Sequence, residues 1–278
     1  MGEAKLRRIS QRALVANAKR CVYCQNTTDL TLEHMPPIGM FKKRDRPKGW
    51  EFACCSRCNQ GTRGADAVAQ FFAKMEPIQR EDWKLPDLLS LKSTLELEAP
   101  GVIDEVFGAR RKRILLNQRG ILHNAEAFRA DGPLTKKYLD IFSAKIAMAA
   151  FCNFVQRPIE PNGVIFTEWY LNGGLSQNAY EEITKILPMF AQLEQGKKIS
   201  GDQFYARYNT DSRRIVAALI SFHSSLHINI VATDGEEFVG PLAERLDQAH
   251  EQRPTANLTT PGLPELETAE TPIPSIAS

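Results

Sequence analysis

Two Cys-x-x-Cys pairs constrain this chain more than any other feature. Cys21 and Cys24 form the first pair, and Cys55 and Cys58 the second. A two-residue spacer lets a tight turn aim both sulfurs at one point, so each pair grips one side of a tetrahedral metal. Four thiolates without a histidine suit Zn2+ best. Such an ion is structural, because four protein ligands leave no open position for water. The pairs stand about 30 residues apart, against roughly 15 to 20 in a compact zinc ribbon. The loop that the metal closes therefore has room to carry other groups, and what it carries is the dipeptide Glu33-His34.

The surrounding residues place that dipeptide. Leu30, Thr31 and Leu32 read as a short strand ending at Glu33-His34, and Pro36-Pro37 prevents its continuation. The charged segment 42–49 reads as a turn, and residues 50–53 as the second strand of a hairpin. Beyond Asn59, the stripe Ala65, Val68, Phe71, Phe72 and Met75 reads as a helix. With Asn59 near its start, this is a ββα order.

A C-x-x-C pair, an acidic residue directly before a His, a nearby Pro, then a C-x-x-C pair followed at once by Asn resembles the zinc-containing branch of the HNH (ββα-metal, treble-clef zinc) endonucleases. The resemblance covers about 45 residues. It implies that Glu33 and Asn59 bind a catalytic divalent ion, Mg2+ or Mn2+, and that His34 is the general base for hydrolysis of a phosphodiester, with DNA the first-choice substrate. The family is bacterial and phage in character. One position departs from its pattern. The Asn that usually precedes the second Cys pair and holds the loop bearing the His is replaced here by Trp50, Glu51, Phe52 and Ala53.

Charge distribution points to the same partner. Residues 1–63 hold 13 Lys and Arg against 5 Asp and Glu, in a chain whose net charge is only +2. The basic end is the end with the motif, which is what affinity for a phosphate backbone requires. Lys42, Lys43, Arg44, Arg46, Lys48, Arg57 and Arg63 are the candidate nucleic-acid contacts. Residues 4–19 read as a basic amphipathic helix leading into the first Cys pair.

At 278 residues the chain has length for one or two domains. The sequence divides into a basic helix plus zinc module over 1–76, an α+β domain with antiparallel strands over 77–250, and a Pro/Thr/Glu-rich tail over 251–278 expected to be disordered. In the middle part, 84–100 reads as a short helix or extended segment. Residues 102–107, 113–116 and 120–123 read as strands, with the basic run 110–113 as a connection. Residues 138–155 read as the clearest helix and 178–187 as another. Residues 163–170, 204–208, 215–222 and 226–232 read as extended.

No apolar run approaches the ~20 residues of a membrane span. The N-terminus lacks a signal-peptide stretch, and Leu6 breaks a myristoylation motif, so a cytoplasmic protein is expected, with its cysteines reduced. Cys54 reads as a buried thiol and Cys152 as a helix-packing residue. His223 and His227 lack a partner carboxylate and read as ordinary residues. A homodimer is compatible with paired nicks, and the larger domain leaves room for a regulatory partner. Two rival functions remain: a zinc-stabilised module that binds nucleic acid without cleaving it, and a protein-interaction protein in which zinc only staples the N-terminal region.

Overall fold

Cys55 is where the hairpin turns into helix. The computed structural model describes residues 11–75, 86–108, 111–116, 122–127, 130–171, 176–223, 225–238, 240–244 and 255–263. Helix α1 occupies residues 11–17; the N-terminal part of the basic helix read from 4–19 lies outside the described residues. Strands β1 (Leu30–His34) and β2 (Glu51–Cys55) pair antiparallel, with Leu30 opposite Cys55 and His34 opposite Glu51. Cys55 then serves as N-cap of α2 (Ser56–Gly61), and α3 (Arg63–Lys74) follows after Thr62. Asn59 sits inside α2, one helix earlier than the apolar stripe. In α3 the stripe is real: Ala65, Val68, Ala69 and Phe72 are buried at the three- and four-residue spacing of one helical face.

Next come α4 (Pro86–Glu98) and α5 (Val102–Gly108). The α5 segment was expected to be a strand, and the structure corrects this. A short apolar run cannot be assigned by periodicity alone. Here Val102 and Val106 are fully buried four residues apart. The helix also aims Glu105 at the start of the next long helix, where its carboxylate accepts from Leu134 N at 2.9 Å and Thr135 N at 2.8 Å. Strands β3 (Arg111–Leu116) and β4 (Leu122–Ala127) form a hairpin. Most of the basic run 110–113 thus belongs to a strand, not to a connection.

Helix α6 (Pro133–Val155) begins on a proline, which suits the first helical turn, and ends where Gln156 turns left-handed at φ 64°. Among the described residues it is the one helix long and apolar enough to cross a membrane, and 67% of that stretch is buried inside the fold. It is a core helix, packed against α3 on one side and the large sheet on the other. That sheet is built from β5 (Val164–Leu171), β6 (Met189–Gln192), β9 (Tyr205–Thr210), β10 (Ile215–Phe222), β11 (Leu226–Thr233) and β12 (Ala256–Thr259). Helix α7 (Gln177–Ile186) and a small hairpin, β7 (Glu194–Gln195) and β8 (Lys198–Ile199), are inserted between strands. The strand order is β12-β5-β11-β10-β9-β6, with every neighbouring pair antiparallel. The chain is an α+β protein, as expected.

Strand β12 lies in the stretch read as a disordered tail. Leu258 pairs with Phe166, and Ala256 is buried; a four-residue strand is invisible to a composition averaged over the whole tail. Residues 264–278 of that tail lie outside the described residues. One hydrophobic core runs from the hairpin region (Tyr23, Met35, Phe41, Phe52) to the sheet and α6 (Phe142, Phe151, Phe204, Phe222). The packing does not break where the sequence divides at 76.

Gly64 is a point of close backbone approach between α3 and its neighbours. A Cβ there would meet Glu98 O at 2.4 Å and the Tyr138 ring at 2.7 Å, whereas one on Gly61 would meet nothing within 4 Å. Gly64→Ala is expected to lower stability by about 1–3 kcal/mol through overpacking, with Gly61→Ala close to neutral. Urea unfolding of both variants checks this, and equal effects would contradict it.

Candidate metal centre and the Glu33-His34 site

The four sulfurs of Cys21, Cys24, Cys55 and Cys58 lie within 4.8 Å of one another. Tetrahedral zinc with Zn–S bonds of about 2.3 Å requires sulfurs roughly 3.8 Å apart. Cys24 and Cys55 already stand 3.7 Å apart. Local backbone geometry sets this up. Val22 N donates to Ala53 O at 2.9 Å, tying the first knuckle to β2, and Tyr23 N points at Cys21 Sγ at 3.3 Å. The neighbouring sulfurs of Cys54 and Cys58 push the Cys21 thiol well down, while burial pushes Cys24 up to about 11. The four cysteines fit zinc. Cys54 is fully buried with its sulfur 4.0 Å from that of Cys21, the packed thiol beside the knuckle that the sequence indicates.

The loop between β1 and β2 is held by Arg46. Its guanidinium donates to five backbone carbonyls: Pro36 at 2.8 Å, Pro47 at 3.0 Å, Met35 at 3.1 Å, Gly49 at 2.6 Å and Trp50 at 3.3 Å. The residue is 5% exposed. Arg46 was expected on the nucleic-acid surface, and this is a correction: a buried guanidinium must be met by acceptors, and these carbonyls are its acceptors. Two of the carbonyls it gathers, Met35 O and Trp50 O, lie beside the His34 end of the hairpin. Trp50 carries φ 50° and packs edge-on against Phe154 and Phe204. Farther along the loop, His223 Nε2 lies 2.9 Å from Met40 O, and Lys42 N donates to Gln203 Oε1 at 2.7 Å. His223 is therefore a loop anchor, and His227 pairs with Ser221 Oγ at 2.9 Å.

Glu33 does not face solvent. It is 5% exposed, and its Oε1 accepts from Tyr23 OH at 3.2 Å and from Lys145 Nζ at 3.0 Å. Lys145, fully buried in the middle of α6, also donates to Asp66 Oδ1 at 2.8 Å and Oδ2 at 2.9 Å. Burial alone would push Lys145 down, but Asp66 and Glu33 outweigh it and hold it above its ordinary value. Burial raises Asp66 to about 6 against the pull of Lys145.

Asn59 Nδ2 donates to Thr31 Oγ1 at 3.2 Å, and Thr31 spends its own hydroxyl proton on Cys54 O at 3.0 Å. With that proton spent, Thr31 only accepts, so the amide nitrogen of Asn59 is turned toward it. A divalent ion coordinated by Glu33 and Asn59, as the resemblance implies, does not fit this arrangement. Mg2+ and Mn2+ need several oxygen ligands and retain water, and the Glu33 oxygen already carries an ammonium.

His34 projects from the opposite face of β1, since successive strand residues alternate. Its Nδ1 stands 3.5 Å from Glu51 Oε1 across the hairpin, with the His side chain 21% exposed. Glu51 in turn accepts from Gln11 Nε2 of α1 at 3.3 Å. Beside it, a cavity of about 600 Å³ is bordered by α1, β2 and the end of α6, including Asn17, Arg20, Glu51 and Asn153. Of the basic candidates, Lys42, Lys43, Arg44, Arg57 and Arg63 are exposed and Lys48 is half-buried.

Sequence reasoning missed Arg46 as a clamp, Glu51 as the neighbour of His34, and Lys145 with Asp66 as partners of Glu33. Only Lys145 left a trace, as a lone cation inside the apolar run of α6. No protein-family model, curated protein or solved structure matches the chain.

Two outcomes are expected. The purified chain should hold one equivalent of zinc, and Cys58→Ser or a strong chelator should remove it together with much of the thermal stability, since structural zinc contributes on the order of 10 kcal/mol in small modules. Zinc-free protein of unchanged midpoint would contradict this. Arg46→Met should cost about 2–4 kcal/mol, with Arg46→Lys only partly restoring it for want of a planar fork. Urea unfolding reads both, and an unchanged midpoint would remove the clamp.

Proposed function

We infer that the chain binds nucleic acid through a zinc-stapled, treble-clef-like ββα module of the HNH kind. The supporting observation is the split among its charges: Lys42, Lys43, Arg44, Arg57 and Arg63 are exposed, while the acidic residue of the motif, Glu33, is buried and neutralised. A surface left basic in this way attracts phosphates by releasing their counterions, and carries no sequence preference of its own. The zinc keeps the hairpin and α2 in one orientation so that the basic side chains act together.

The affinity for duplex DNA is then expected to fall steeply with salt. Five phosphate contacts give a slope of log K against log salt near −4.5, and replacing Lys42, Lys43 and Arg44 by Ala reduces it by about 3. Fluorescence anisotropy across a salt series reads both. No affinity at moderate salt would sink the reading and leave the protein-interaction alternative.

A second reading, an endonuclease hydrolysing phosphodiester bonds, is favoured by the His34–Glu51 pair. A carboxylate beside Nδ1 fixes the ring so that Nε2 is the nitrogen available as a general base. In a supercoiled-plasmid assay with Mg2+ or Mn2+, this reading expects nicking that His34→Ala reduces by about 10² to 10⁴ while binding persists. Binding by the wild type without nicking rejects hydrolysis and keeps the first reading.

A further inference from the structure

The one fully buried lysine among the described residues lies against the motif's carboxylate. Two carboxylates that approach one another out of water need a cation between them, or one must take up a proton. Glu33 comes from the end of β1, and Asp66 from the first turn of α3. Among the described residues, the cation at both carboxylates does not come from the N-terminal segment. The cation arrives instead from α6, 79 residues beyond Asp66, as the ammonium of Lys145 with contacts of 2.8, 2.9 and 3.0 Å to three carboxylate oxygens.

We propose that the ammonium of Lys145 occupies the cation position between Glu33 and Asp66, so that the acidic member of the Glu-His pair is held by the chain's own lysine and takes no divalent ion. The geometry of the cluster carries this. An ammonium presents three donors, and here they are met by one oxygen of Glu33 and both oxygens of Asp66. The remaining approach to Glu33 Oε1 is taken by Tyr23 OH at 3.2 Å, and Tyr23 also places its ring 5.6 Å from the ammonium. A dication bound to the same oxygen would stand beside a fixed positive charge with no water to screen it. Lysine delivers one charge where a metal would deliver two, and burial raises Asp66 above an ordinary aspartate against the pull of Lys145. The inference does not depend on nucleic-acid binding. It does oppose any hydrolysis that needs a metal at Glu33.

The test uses the zinc-loaded full chain and Mn2+ as probe. Bound Mn2+ is measured from the loss of the free-ion electron paramagnetic resonance signal in wild type, Glu33→Gln and Lys145→Met. Wild type and Glu33→Gln are expected to bind the same amount, because no Mn2+ depends on Glu33. Lys145→Met is expected to gain one equivalent and to show a thermal midpoint that rises with Mn2+, which the wild type lacks. A stoichiometric Mn2+ in wild type that Glu33→Gln abolishes overturns the proposal. So does a folded Lys145→Met that gains no Mn2+. Should Lys145→Met fail to fold with or without Mn2+, the comparison of wild type with Glu33→Gln decides alone.

Discussion

A buried ammonium sets the terms for the rest of this structure. Lys145 is fully buried, so the elements that provide its acceptors must stay where they are. These are β1, which carries Glu33, and α3, which carries Asp66. Together with α6 they form the crossing on which the hairpin is mounted against the sheet. Removing one partner of a buried pair costs about 3–5 kcal/mol, against about 0–1 for an exposed one such as Lys185 with Glu182. A few interior charges therefore weigh more in placing the hairpin than the many Lys and Arg on its surface.

The hairpin solves two problems with two chemistries. At its open end, the Cys pairs converge on a point that suits a metal. At the loop, a long stretch of backbone with short 3-10 turns at Ile38–Met40 and Lys42–Arg44 must satisfy its remaining carbonyls, and Arg46 meets five of them. The two ends differ in what disturbs them. Oxidation or chelation acts on the thiols and leaves Arg46 intact, since a guanidinium keeps its charge at any pH a folded protein survives. The His34–Glu51 pair lies between these two anchors and inherits its position from both.

What could be read from the sequence was local. The Cys spacing, the strand ending at His34 and the long helix through Lys145 are properties of neighbouring residues, and each reappears in the structure within a few positions. The fate of a charge is not local. Lys42, Lys43, Arg44 and Arg46 look alike in a basic run, yet three face solvent and one lies in the interior, because only Arg46 has the loop's carbonyls folded around it. Glu33 could be placed by its motif, but its partner is more than a hundred residues away. The segment 102–107 belongs with these: as a helix it buries Val102 and Val106 and brings Glu105 to the start of α6, contacts that no window of residues contains.

The position of Lys145 along the chain also bears on how the protein is made. During synthesis the four cysteines that could hold a metal are all present once Cys58 has emerged. Glu33 of the hairpin and Asp66 of α3 then wait for their counter-charge while the chain grows by the 79 residues from Asp66 to Lys145, roughly 4–16 s at ordinary translation rates. Until then Glu33 and Asp66 lack the cation they meet in the folded protein, and the arrival of α6 joins the hairpin to the larger hydrophobic core.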